Sequence, residues 1–111
     1  MEIQVKLDPN ANPPVTVLPV HQSVNHGNQT LIWVPFANEN FAFVSLTGLP
    51  NPPFSNPAVS ASKITVTDNN QNNGPEVVYP YTIVVSANGT SYSSAKASPI
   101  LGNGNPTINN K

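Results

Sequence analysis

Few side chains in this sequence can do chemistry, and their spacing favours no familiar reaction. His21 and His26 are the only imidazoles, Cys is absent, and four Lys and five acids complete the charged set, with no Arg. A transition-metal centre takes about three or four nitrogen, sulfur or carboxylate ligands. His21 and His26 stand on either side of one turn and are close enough in sequence to share an ion. The nearest acid that follows is Glu39, so a third ligand is missing and both histidines read as exposed loop residues.

Asp68-Asn69-Asn70-Gln71-Asn72 offers oxygens at alternate positions, as a calcium loop does. The rest of that template fails. Its turn glycine would fall where Asn73 stands, and its bidentate Glu where Tyr79 stands. Asp68 and Asn70, helped by Glu76, would make at most a shallow, weak site. The segment reads as a solvated connector, and no cofactor is expected.

Catalysis has little to draw on. There is no Gly-x-Ser-x-Gly elbow and no recognisable Ser-His-acid grouping. A general acid and a general base would both have to come from Glu2, Asp8, Glu39, Asp68 and Glu76, which fall near strand ends or in loops. The chain is read as non-enzymatic.

Aromatic residues are the remaining candidates for recognition. Trp33, Phe41, Phe43 and Tyr81 fall on strand-like runs and are expected in the core. Phe54 lies in Pro52-Pro53-Phe54-Ser55-Asn56-Pro57, which is too rich in Pro for a ladder. It either folds back as a plug over one end of the fold, the favoured reading, or stands out as an anchor for a partner. Asn28-Gln29-Thr30 and Asn88-Gly89-Thr90 match the glycosylation sequon, and both are read as turn chemistry.

Composition narrows the partners. A formal net charge of −1 with no Arg provides no basic stripe for phosphates, so nucleic-acid binding is not expected. No apolar run reaches the roughly 18–20 residues of a membrane span. The opening Met1-Glu2-Ile3-Gln4-Val5-Lys6 lacks the pattern of a secretory signal, and the compartment stays open. A protein or glycan partner reached through amide side chains suits such low charge.

The elements that position these residues are short β segments parted by Pro, Asn and Gly. Ile3, Val5 and Leu7 alternate with polar residues, the period of a half-buried strand. With few charges, that strand is a candidate for edge-to-edge pairing in a homodimer. Val15–Leu18, Thr30–Phe36, Phe41–Leu46 and Lys63–Thr67 read as further strands. Gly48–Pro57 reads as irregular, Ala58–Ser62 as room for one short turn, and Asp68–Gly74 as a polar loop. Val77–Val85 reads as one long strand with a bulge or edge start at Pro80. Asn88-Gly89 is the preferred two-residue hairpin turn, with Tyr92 on the return strand. The tail, Gly102–Lys111, reads as frayed.

Two stretches carry a family resemblance. Leu31-Ile32-Trp33 is similar to the core Trp of immunoglobulin-like sandwiches. Asp68, the loop with Gly74, and Tyr79-Pro80-Tyr81-Thr82-Ile83-Val84-Val85 resemble the late strand where a Tyr closes the corner between sheets. With Val15-Thr16-Val17 and the Asn88-Gly89 turn, residues 14–101 look like small, uncharacterised bacterial β-sandwich proteins of the immunoglobulin- or cupredoxin-like kind. The chain departs from antibody domains in having no Cys pair, and from copper cupredoxins in having no Cys ligand. The resemblance implies a fold and no activity.

The sequence thus points to one all-β domain over residues 1–111, an antiparallel β-sandwich of about seven or eight strands. Its expected role is that of an interaction or structural module, with self-association as a variant of that role. The alternative is a small-ligand or metal-binding domain using His21, His26, Asp68, Asn70 and Glu76.

Overall fold

The computed structural model describes residues 1–95 and 105–111. Among these the secondary structure is all β, with no helix. No helix there is long and apolar enough to cross a membrane.

Eleven strands are formed by the described residues. The first four are β1 (Glu2–Leu7), β2 (Val15–Leu18), β3 (His21–Val24) and β4 (Gly27–Pro35). Then come β5 (Ala42–Thr47), β6 (Phe54–Val59), β7 (Ile64–Asn70) and β8 (Val77–Pro80). The last are β9 (Thr82–Ala87), β10 (Thr90–Ser93) and β11 (Thr107–Asn110). One sheet has five strands in the order β2-β1-β4-β7-β6, and two have three, β10-β9-β5 and β3-β11-β8.

The alternating pattern places the core. Ile3 and Val5 on β1, Leu31 and Trp33 on β4, and Ile64 and Val66 on β7 are buried on the five-stranded sheet. Phe43, Ile83 and Val85 join them from the second sheet, and Val24 and Ile108 from the third. Trp33 and Tyr81 meet edge-on between them, with ring centroids 5.5 Å apart. The Asn88-Gly89 turn forms as its residue types require, with φ of 53° and 78° closing the β9–β10 hairpin.

Several expectations give way. Not all pairings are antiparallel, since β1 runs parallel to β4 and β3 parallel to β11. Ile3–Leu7 is no edge, because β1 is flanked by β2 and β4. The Pro-rich stretch does enter a ladder. β6 is the edge strand of its sheet, and a register irregularity between Ser55 and Ala58 takes up Pro57, whose missing N–H an edge tolerates. The turn allowed for near Ala58–Ser62 begins later, where Ser60 N–H donates to Lys63 O and Lys63 N–H to Ser60 Oγ.

Val77–Val85 is two strands rather than one. The chain leaves the third sheet at Pro80 and enters the second at Thr82, and Tyr81 at the break donates its N–H to Pro106 O. In the tail, β11 is the middle strand of its sheet, and Ile108 is fully buried. Residues 102–104 lie outside the described residues.

Candidate functional site

β7 keeps its alternation beyond its apolar residues. After Ile64 and Val66 the same face presents Asp68 and Asn70, and all four are buried. Asp68 stands in register with Gln29 on β4 and with Phe54 on β6, and Asn70 with Gly27. The expected 68–74 loop therefore starts at Gln71, and Asp68 and Asn70 are interior residues of the strand before it.

These residues grip β11. Asn70 Nδ2 donates to Val24 O at 2.9 Å and to Lys111 O at 3.1 Å, while its Oδ1 accepts from Asn72 N–H. Asn72 Nδ2 donates to Asn110 O at 3.1 Å and to Pro75 O at 2.8 Å. Asn110 Nδ2 donates to Asp68 Oδ1 at 3.1 Å. A carboxamide carries both a donor and an acceptor, so this set ties backbone carbonyls of two strand ends without any net charge. Burial pushes the Asp68 carboxyl above its ordinary value, against a smaller downward pull from the Asn110 hydrogen bond.

An open recess of about 530 Å³ lies against this clamp. Five carboxamides line it, those of Asn69, Asn70, Gln71, Asn72 and Asn110. Pro52, Pro53, Val77 and Tyr79 supply apolar wall. Asn70 and Asn110 form the buried base, while Asn69 and Gln71 are exposed at the rim. Gln71 Nε2 donates to Asn69 Oδ1 at 3.2 Å, which leaves Asn69 Nδ2 and Gln71 Oε1 unclaimed by the described residues. Phe54 stands behind Tyr79, edge-on at 5.0 Å and only 3% exposed. It is a buried support, not an exposed anchor for a partner. A smaller hollow of about 200 Å³ lies on the other side of Phe54, walled by Leu46, Leu49 and Val66.

The sequence candidates for a metal do not converge. His21 and His26 are exposed on β3 and in the turn after it, Glu76 is exposed before β8, and Asp68 and Asn70 are buried on β7. No three His, Cys, Asp or Glu side chains among the described residues gather where one ion would touch them. His21 has a different engagement: its Nδ1 lies 2.7 Å from Thr107 Oγ1, whose hydrogen goes to Asn109 Oδ1.

Tyr79 and Asn110 are among the site residues that sequence reasoning missed. Parity along β7 was the available signal for the inward amides, whereas nothing local marks Asn110 as a partner of Asp68. Known protein-family models do not match the chain, and neither does any curated protein.

Proposed function

We propose that this chain is a non-catalytic interaction module whose carboxamide recess binds an uncharged, hydrogen-bonding ligand, a segment of glycan. The scaffold is read as a β-sandwich of the immunoglobulin- or cupredoxin-like kind found in small bacterial proteins. One core shared by a five-stranded sheet and two three-stranded sheets supports that reading.

The observation that carries the function is the lining of the recess. At the rim, Asn69 Nδ2 is left to donate and Gln71 Oε1 to accept, as sugar hydroxyls require, above a base of the neutral side chains of Asn70, Asn72 and Asn110, and among the described residues no Asp, Glu, Lys or His lines the wall to select a charged ligand. Tyr79, Pro52 and Pro53 give the apolar surface on which the C–H face of a sugar ring rests. Its volume lies in the range of small-ligand sites.

The test is an NMR titration of amide-labelled protein with neutral oligosaccharides. Perturbation of the Asn69, Gln71 and Asn110 side-chain amides would support the reading. Unmoved resonances at millimolar sugar would reject it.

A second reading has one observation in its favour. Among the described residues β8 pairs only with β11 and is the outer strand of its sheet, and Val77 and Val78 are 38% and 52% exposed there. An extended protein segment, or β8 of a second copy, would pair along that edge. Light scattering across protein concentration separates the self-associating form from a monomer.

A further inference from the structure

Two buried oxygens, Asp68 Oδ2 and Asn110 Oδ1, have no hydrogen-bond donor among the described residues. Their side chains are already joined through the other two atoms, with Asn110 Nδ2–H donating to Asp68 Oδ1. A buried acceptor without a donor is costly, and two on bonded partners point to one cause. A single hydrogen on Oδ2 serves both: the acid O–H donates to Asn110 Oδ1 and closes a ring of two hydrogen bonds between a carboxylic acid and a primary amide.

We propose that Asp68 and Asn110 share a hydrogen in such a closed acid–amide ring, and that losing it loosens β11 and the recess wall it carries, making the seating of this strand depend on pH. The inference holds whatever the recess binds.

The surroundings favour a proton over a metal ion. Calcium takes about six to eight oxygens, and no group of three His, Cys, Asp or Glu side chains forms at Asp68 among the described residues. Among the described residues no buried cation offsets a negative Asp68 either. β4, β6 and β11 carry no ionisable side chain. β3 brings His21, β8 brings Tyr79, and the adjoining segments bring His26, Glu76 and Lys111. All of these are exposed except the half-buried Tyr79. Burial raises the carboxyl, so the stability it contributes is complete below its ordinary value of 3.8 and is lost as pH rises through the higher value in the fold.

The decisive variant is Asp68→Asn. It keeps the acceptor for Asn110 Nδ2 and puts a permanent N–H donor where the shared hydrogen would be. Thermal melts of both proteins from about pH 4 to about pH 8 read the effect. At the upper end D68N is expected to melt higher than the parent by about 5 °C, with the gap closing toward the lower end. A gap that ignores pH, or a D68N protein that melts lower at the upper end, would overturn the proposal. The carboxyl carbon of Asp68, followed by NMR in the native parent, gives a second measure. Titration above the ordinary carboxylate range supports the ring, and titration within it refutes it. Millimolar calcium that raises the melting temperature of the parent and not of D68N would replace the proton with a cation.

Discussion

The indole Nε1–H of Trp33 donates to the phenolic oxygen of Tyr81 at 3.1 Å, and both residues are almost wholly buried. The bond ties β4 of the five-stranded sheet to the point where the chain passes from the third sheet to the second. Burial holds the Tyr81 phenol above its usual value, with the Trp33 hydrogen bond acting in the other direction. Trp33 is the only Trp, so its fluorescence reports on this junction without interference.

Tyr81→Phe removes the acceptor and strands a buried indole N–H. The expected loss is about 1–3 kcal/mol, the cost of an unsatisfied buried donor. Urea unfolding followed by Trp33 emission measures it. A change below about 0.5 kcal/mol would mean that the indole finds another acceptor.

Gly48 and Gly89 both have positive φ, yet their substitutions should differ. A Cβ at Gly89 meets nothing within 4 Å, so Gly89→Ala carries only the conformational cost of φ 78°, about 1 kcal/mol. A Cβ at Gly48, at φ 101°, would sit 2.7 Å from Pro80 O. Gly48→Ala must also shift the Pro80–Tyr81 backbone, for about 2–3 kcal/mol. Paired denaturation curves check the order of the two.

Asn70→Ala takes both donors from Val24 O and Lys111 O. A loss of about 2–3 kcal/mol is expected. Hydrogen exchange locates it: amides along β11 and at Lys111 should exchange faster, while those around Trp33 keep their order of protection. Uniformly faster exchange would mean that the clamp is no local unit.

Side-chain parity made much of the five-stranded sheet legible. Ile3, Val5, Ile64 and Val66 alternate with polar neighbours, and the structure buries all four. Asn88-Gly89 was legible because its backbone demand is local. The site was hidden by the same rule. Asp68 and Asn70 continue the parity of Ile64 and Val66, yet their polarity suggests solvent, and only partners far along the chain make their burial tolerable. β3 and β11 are illegible for a related reason: Val24 and Ile108 are each the one fully buried apolar residue of a four-residue strand. Pro57 concealed β6, because tolerance of Pro depends on whether a strand lies at an edge, and that is a property of the assembled sheet.

The parallel pairing of β3 with β11 has a kinetic consequence. His21 and Thr107 face one another across 86 positions of chain, and no tight turn can bring such strands together. The β9–β10 hairpin closes locally and can form early, whereas β11 can slot between β3 and β8 only after distant parts of the chain have met. Closing so large a loop is an entropic cost met before its contacts return anything. Refolding should therefore be slow for a chain of this length, with the recess among the last features to take shape.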